Sequence, residues 1–393
     1  MFSGKRALLP ILAVARSIWR NKTYIGFIVL FTLLTAEIGG QFFFPFKEND
    51  RFYIFPPYHS FYYESNSEYT PGVFNNARFQ ASSLGIRSDE YEDEENVILV
   101  LGGSTGLDQL LDQKFAWPQR VQDKLNASGR VKPVWVGNLS RSSRASKHNI
   151  DYFETIVPYM PKANVILVLV GVNDFQYYLR SSYGTYTAEQ ELSFNYSVVP
   201  QNSIWDRIAL VRMYDITKNL YNRSKYAFIS GTGGIKMWRD CRQSVDGRDL
   251  IGQLADMSEG LSAFRANLNR LVDMADSYGT RLVFITQPTL WREDIGEAEK
   301  SMLIAGGVGS SSDWCEKREY YSVDALMRGM RAFNEVTRAV CDSRSLKCVD
   351  LAETLPPRAE FFYDDMHYSE AGADKVADII VENLLGLTPP FLD

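Results

Sequence analysis

Three short segments of the chain carry the side chains that a serine nucleophile requires. Ser104 lies in the run Gly-Gly-Ser-Thr-Gly, Asn173 lies in Gly-Val-Asn-Asp, and His367 follows Asp364 by three residues. A serine hydroxyl is a weak nucleophile, and it depends on a neighbouring base that is usually a histidine oriented by a carboxylate. The pattern therefore predicts a catalytic triad of Ser104, His367 and Asp364.

The choice of His367 as the base follows from the small number of histidines. The sequence contains three, and neither His59, in an aromatic segment, nor His148, at the start of a predicted helix, has a carboxylate at a useful local spacing. An isolated Asp-x-x-His motif is common, but this one precedes the last predicted helix and faces a serine turn on the first predicted strand. Each motif alone has another interpretation: a phosphate-binding turn, a helix cap or a structural histidine. Their combination and order favour a hydrolytic site.

Alternating strand and helix patterns position these motifs. Apolar runs predict strands at 97–101, 134–136, 165–170, 281–285 and 348–351, and helical spacing predicts helices at 117–125, 148–160, 262–278, 322–340 and 370–385. Such alternation predicts a parallel sheet with helices on both faces, and sheets of this type bind ligands at the carboxyl ends of their strands. Residues 176–260 interrupt the alternation and predict an insertion after the third strand, either a substrate lid or an inert elaboration.

The N-terminal part of the sequence predicts a membrane anchor. Residues 24–44 are long and apolar enough for a transmembrane helix, and they follow a basic segment, 1–23. The positive-inside tendency then orients the N-terminus to the cytoplasm and the rest of the chain outside it, in the periplasm or extracellular space. Glu37 is the residue that fits this span least, and a cleaved signal peptide and a buried core helix remain alternatives. An aromatic-rich linker or accessory segment, 45–95, leads to the predicted hydrolase domain, 96–388.

Composition and cysteine content agree with a globular domain outside the cytoplasm. Hydrophobic residues make up 45% and charged residues 23% of the chain, and the net charge of -6 argues against a general nucleic-acid binder. The four cysteines all follow the predicted span; they are Cys241, Cys315, Cys341 and Cys348. The short separation favours a Cys341–Cys348 bridge, which leaves Cys241 with Cys315, although four free thiols remain the alternative in a reducing compartment. No Cys-x-x-Cys spacing occurs, so we expect neither a redox motif nor a zinc site.

Together these motifs resemble the SGNH (GDSL-like) hydrolases, and in particular a membrane-anchored subgroup with Gly-Gly-Ser-Thr at the nucleophile. The similarity includes Trp117-Pro118, the complete Gly-x-Asn-Asp block at 171–174, and Asp364 and His367 followed by Ser369 and Gly372. It covers residues 96–388 and implies a flavodoxin-like, three-layer α/β/α fold.

The second block departs from the family pattern. Where family members commonly have Asn-x-Gly, this chain has Asn138-Leu139-Ser140, so Ser140 occupies the position of the glycine of the oxyanion hole, and Gly137 lies three residues earlier. The resemblance implies an oxyanion hole formed by the Ser104 N–H, the Asn173 amide and the N–H of Ser140 or Gly137. A serine can donate that N–H only if the turn accommodates its Cβ.

The expected function is a membrane-anchored serine esterase that removes O-acyl groups, mainly O-acetyl groups, from a cell-envelope or secreted polysaccharide. We expect it to require neither a cofactor nor a metal ion. The same triad also fits a polysaccharide O-acetyltransferase that receives its acyl group from a membrane partner, and the departure at Ser140 also fits a non-catalytic carbohydrate-binding or assembly subunit.

Overall fold

The computed structural model describes residues 8–43, 54–55, 57–181, 208–211, 213–214, 232–245, 250–308, 315 and 318–386. The chain divides into two compact units. One comprises Met1–Arg51 and Pro200–Arg223, and the other comprises Phe52–Val199 and Ser224–Asp393.

The described part of the first unit includes a long helix, α1 (Leu8–Phe43). Its Tyr24–Phe43 portion has a mean hydropathy of 1.6 and is almost entirely unburied, so its length and composition suit either a membrane span or a signal sequence. This portion agrees with the predicted span at 24–44. The helix begins earlier than the predicted span, however, because most of the basic segment 1–23 is also helical.

Glu37, the acidic residue of this apolar helix, has hydrogen-bond partners within the same unit. Its carboxylate accepts the backbone N–H groups of Ala209 at 2.7 Å and Leu210 at 3.0 Å, and the side-chain amide of Gln41 at 2.6 Å. Burying a carboxylate costs much less free energy when its oxygens are hydrogen-bonded. The segment around residue 209 belongs to the predicted 176–260 insertion, so part of that insertion packs on α1.

The second unit is built on a five-stranded parallel sheet, as the sequence predicts. Its strands are β3 (Asn96–Gly102), β4 (Val134–Asn138), β5 (Val165–Leu169), β6 (Arg281–Ile285) and β7 (Cys348–Val349). They lie in the order β4-β3-β5-β6-β7, which is the flavodoxin-like order. All seven residues of β3 are buried, as expected for a central strand covered on both faces.

Helices cover both faces of this sheet in a three-layer α/β/α arrangement. They are α2 (Ser104–Leu107), α3 (Trp117–Ser128), α4 (Ser146–Thr155), α5 (Val172–Ser181), α6 (Thr232–Gln243), α7 (Ser258–Tyr278), α8 (Glu297–Lys300), α9 (Val323–Ser343), α10 (Leu351–Thr354) and α11 (Glu370–Leu385). Helix α3 packs against α11, and α7 packs against both α4 and α9. The last strand is shorter than the predicted 348–351, because helix α10 begins at Leu351.

The accessory segment before β3 is part of the second unit. Its strands β1 (Ser60–Tyr63) and β2 (Ala77–Gln80) form an antiparallel pair, and the side chains of Phe79 and Ile86 are fully buried in the main core. Residues 57–95 therefore belong to the unit that carries the sheet, which begins at Phe52.

Arg87 connects the accessory segment to the turn that follows Ser104. Its buried guanidinium donates hydrogen bonds to the carbonyl oxygens of Leu107 at 2.5 Å, Asp108 at 2.7 Å and Leu111 at 2.7 Å, and to the Gln113 side chain at 2.8 Å. Burial lowers the pKa of Arg87 to about 10. One buried cation thus satisfies four acceptors around the nucleophile turn.

Two disulfides occur in the second unit, Cys241–Cys315 and Cys341–Cys348. Both pairings agree with those favoured by the sequence. The second joins the end of α9 to β7 across a separation of seven residues. The first joins α6 to the segment that precedes residue 318.

We expect Arg87→Met to destabilise the second unit by about 3 kcal/mol or more, because it leaves several buried carbonyl groups without a donor. The measurement is urea unfolding of the detergent-solubilised chain, followed by tryptophan fluorescence. The matched control is Arg78→Met: Arg78 is exposed on β2, and its replacement should change stability by no more than about 0.5 kcal/mol. Equal effects of the two substitutions would show that Arg87 does not hold the turn.

Candidate active site

The structure brings Ser104, His367 and Asp364 into one hydrogen-bonded series. The Ser104 hydroxyl lies 2.8 Å from Nε2 of His367, and Nδ1 of His367 lies 2.7 Å from the Asp364 carboxylate. Ser104 follows the carboxyl end of β3, whereas the other two residues lie in the loop before α11. The 263 residues that separate Ser104 from His367 are therefore bridged by the fold.

The turn at Ser104 depends on a close approach at Gly103. A Cβ at position 103 would collide with the side-chain amide nitrogen of Asn173, so a larger residue there would have to displace that amide. Beyond the serine, the Thr105 hydroxyl donates to the Gln287 side chain at 2.9 Å, and the Trp117 indole N–H donates to the Thr105 carbonyl at 2.9 Å. These bonds fix the direction in which the chain leaves Ser104.

The loop that carries His367 is held by the Asp364 carboxylate itself. Asp364 is fully buried, and besides the imidazole it accepts the backbone N–H groups of Met366 and His367, both at 2.9 Å. The Tyr363 ring stacks on the imidazole at a centroid distance of 5.6 Å and an angle of 9°. The orientation of His367 is therefore fixed from both its edge and its face.

The charges around His367 favour its protonated form. Burial alone lowers the pKa of the imidazole, but the negative charge and hydrogen bond of Asp364 outweigh this effect, and the net pKa of His367 is raised above 6.5. The carboxylates of Asp108 and Asp365 act in the same direction. Asp108 lies close to the nucleophile turn and accepts the Trp117 N–H at 2.9 Å, and burial raises its pKa to about 7.

His148 behaves in the opposite way. His148 accepts the Ala145 N–H at 3.0 Å through Nδ1, and burial together with the charge of Arg144 lowers its pKa to about 4. It is a neutral structural side chain of α4.

The two polar residues of the Gly-x-Asn-Asp block have different roles. The Asn173 amide lines the cavity beside Ser104 and donates one N–H to the Arg144 carbonyl at 3.0 Å. Asp174 is half-buried and accepts the Ser146 N–H at 3.0 Å and the Ser146 hydroxyl at 2.5 Å. Asp174 therefore holds the start of α4, and with it the loop 139–145, next to Asn173.

That loop places Ser140 and Gly137 away from the cavity, contrary to the sequence-based expectation. The Ser140 N–H donates to the Asn138 side chain at 3.0 Å, and the residue is fully buried. Gly137 lies within β4, against Trp135 and Ile86.

Two residues of this loop, Ser142 and Ser143, line the cavity with Ser104 and Asn173. The φ of Ser143, 61°, is in the left-handed region, which turns the backbone of a non-glycine residue at a small cost in free energy. No glycine within Arg-Ser-Ser-Arg marks this change of direction.

The triad opens into a cavity of about 400 Å³. Its walls come from the nucleophile turn, the Ser143 loop, α5, α6 and residues 304–307. Asp365 supports the last of these walls, because its carboxylate accepts the Ile304 N–H at 2.5 Å, the Ala305 N–H at 3.0 Å and the Trp291 indole N–H at 2.7 Å. Among the described residues, no three side chains of the metal-binding types come together as a potential metal site.

Comparison with known proteins gives matches only among solved structures. No protein-family model and no curated protein matches the chain. An acetylxylan esterase from Geobacillus stearothermophilus aligns with 76% of this chain and 97% of its own at 14% identity and a TM-score of 0.40. A lipase/acylhydrolase from Enterococcus faecalis aligns with 74% of this chain and 96% of its own at 13% identity and a TM-score of 0.38. Because identities and TM-scores are this low, neither activity is transferred to this chain.

We expect the pKa of His367 to be above 6.5 and to fall in Asp364→Asn, because the neutral amide no longer stabilises the imidazolium. NMR titration of histidine-labelled protein in detergent micelles measures this directly, since the sequence contains three histidines. His148, which titrates near 4, is the internal reference. The control Asp294→Asn removes an exposed carboxylate and should leave His367 unchanged. A His367 pKa that is the same in Asp364→Asn and the wild type would contradict the proposed pairing.

Proposed function

We propose that the chain is a serine esterase of the SGNH (GDSL-like) type that removes acyl groups through an acyl-enzyme intermediate. The observation that carries the proposal is the series from the Ser104 hydroxyl to His367 at 2.8 Å and from His367 to the buried Asp364 at 2.7 Å. Nucleophile, base and orienting carboxylate have the geometry required for acyl transfer.

In the first step His367 accepts the Ser104 proton through Nε2 while the serine oxygen attacks the ester carbonyl. Asp364 keeps the other proton of the ring on Nδ1 and stabilises the imidazolium that forms. His367 then transfers the captured proton to the departing alcohol, and the acyl group remains on Ser104. In the second step a water molecule loses a proton to His367, attacks the acyl group and releases the acid.

The tetrahedral intermediate carries a negative oxygen that needs hydrogen-bond donors in fixed positions. The proposed donors are the backbone N–H of Ser104, the Asn173 amide and the backbone N–H of Ser143. Asn173 has a second N–H on the nitrogen that binds Arg144, and Ser143 lines the same cavity. We propose Ser143 in place of Ser140 because the Ser140 N–H is already bonded to Asn138.

The proposed site of action is outside the cytoplasm, with α1 as an uncleaved anchor whose N-terminus is cytoplasmic. The basic residues before Tyr24 support this orientation, and the two disulfides support an oxidising compartment. An enzyme anchored on the outer side of the membrane that α1 spans has access to the polysaccharides of the cell envelope. Esters formed by O-acetyl groups on such polymers are therefore the proposed substrates.

We expect the full chain in detergent to hydrolyse p-nitrophenyl acetate, and Ser104→Ala to lose this activity by roughly a thousandfold or more. The control Ser277→Ala, an exposed serine on α7, should retain it. The measurement is the initial rate of nitrophenolate release. Equal background rates in the wild type and Ser104→Ala would contradict the hydrolase proposal. Release of nitrophenolate that requires an added sugar acceptor, with the acetyl group recovered on that sugar, would favour the acetyltransferase instead.

We expect Asn173→Ala to reduce kcat by about a hundredfold or more with little change in KM, because its amide bonds to the oxygen mainly after negative charge develops. Steady-state kinetics with p-nitrophenyl acetate separates the two constants. Asn383→Ala, on α11 and outside the cavity lining, is the control and should change neither kcat nor KM. A rise in KM with unchanged kcat would show that Asn173 binds substrate and does not stabilise the oxyanion.

A further inference from the structure

Two arginine side chains line the cavity next to the triad, although the proposed ester chemistry needs neither. Arg180 lies on α5 and Arg318 lies in the segment before α9. Among the described lining residues the acidic side chain is Asp364, whose carboxylate is hydrogen-bonded to His367. The formal charge of these described lining residues is therefore positive.

The side chain of Arg318 is held in place by the residues that surround it. The residue is only 6% exposed, and its guanidinium carbon lies 5.2 Å from the Trp238 ring and 5.9 Å from the Tyr320 ring. Gly307 makes room for it, because a Cβ at position 307 would collide with the guanidinium. An arginine held between two rings loses little further side-chain entropy when it binds a ligand.

A disulfide links the two parts of the chain that carry this arrangement. Cys241 lies on α6, the helix of Trp238, and its partner Cys315 accepts the Arg318 N–H through its carbonyl oxygen at 3.2 Å. The disulfide therefore holds Trp238, which also lines the cavity, next to Arg318. Arg180 reaches the cavity from α5, the helix that also carries Asn173 of the proposed oxyanion hole.

From this arrangement we infer that the substrate is the acyl ester of an acidic carbohydrate, whose anionic group binds Arg318 and Arg180. The planar guanidinium donates two parallel hydrogen bonds to a carboxylate or a comparable oxyanion. The half-buried Trp238 gives the sugar ring an apolar surface beside that anion. A positive cavity also raises the local concentration of anionic substrates over neutral ones. The inference rests on the proposed function, because it names the substrate class of the same site.

Two acetate esters that differ by one charge test it in the full, detergent-solubilised chain: 4-acetoxybenzoate and its neutral analogue methyl 4-acetoxybenzoate. We expect the ratio of their kcat/KM values, anionic over neutral, to fall by about tenfold or more in Arg318→Gln and in Arg180→Gln. The intrinsic reactivities of the esters cancel when these ratios are compared between variants. The control Arg270→Gln removes an exposed arginine on α7 and should leave the ratio unchanged.

Polymeric substrates identify the source of the anion. We expect faster acetate release from acetylated polygalacturonate or an acetylated sulfated polysaccharide than from acetylated xylan, which is neutral. Faster release from polygalacturonate would identify the anionic group of the substrate as a carboxylate, and faster release from the sulfated polysaccharide would identify it as a sulfate. Equal or faster release from xylan, or an ester ratio that neither arginine substitution changes, would overturn the inference while the esterase proposal stands.

Two further measurements separate folding defects and failure of the proposed chemistry from failure of the inference. Thermal unfolding shows whether Arg318→Gln still folds; if it does not, the half-buried Arg180→Gln and the charge-conserving Arg318→Lys replace it. Calorimetry with Ser104→Ala and a galacturonate oligosaccharide measures binding without turnover. Binding that is lost in the Ser104→Ala, Arg180→Gln double variant would support the anion site even if no ester were hydrolysed. No binding by Ser104→Ala, together with hydrolysis of neutral esters alone, would refute it.

Discussion

The parallel sheet imposes the constraint from which the site follows, because the carboxyl ends of β3, β4 and β5 all lie at one edge. Strand β3 stands between β4 and β5, so the chain segments that leave its two neighbours diverge and open a crevice above it. Ser104 follows β3, Ser143 lies in the loop after β4, and Asn173 follows β5. The order of the strands is thus enough to bring three segments that are distant in the sequence to one edge of the sheet.

Buried and half-buried charged groups then hold the loops at this edge in place. Arg87 satisfies carbonyl groups of the nucleophile turn, Asp174 holds the start of α4, Asp364 holds the histidine loop and Asp365 holds a cavity wall. A buried charge tolerates few arrangements of its partners, because each missing hydrogen bond costs free energy in a medium of low polarity. Rigid loops are the result, and acyl transfer needs donors that do not reorganise during the reaction.

The sequence predicted those parts of the molecule that depend on local pattern. Continuous apolar runs identified the five parallel strands, and the last helix agrees with the predicted 370–385. Motif residues at strand ends identified Ser104 and Asn173, and the pairing of His367 with Asp364 followed from a spacing of three. These features are local, so periodicity and spacing carry them.

Features that depend on backbone direction or on distant contacts were not predictable in this way. Ser140 was expected at the cavity, but the Asn138 side chain takes its N–H and a left-handed residue brings Ser143 there instead. Arg87 and Arg318 look like ordinary surface arginines in the sequence, because their burial depends on the accessory segment and on a disulfide-linked wall. The predicted span at 24–44 agrees with the apolar part of α1, but the helix extends back to Leu8, because charged residues mark a membrane boundary and do not end a helix.

The contact between Gly103 and Asn173 has an evolutionary consequence. The Asn173 amide fills the space into which a side chain at position 103 would extend. A larger residue at position 103 would have to displace that amide or the turn that carries Ser104. The substitutions that position 103 can accept in the course of evolution therefore depend on where the amide of residue 173 lies.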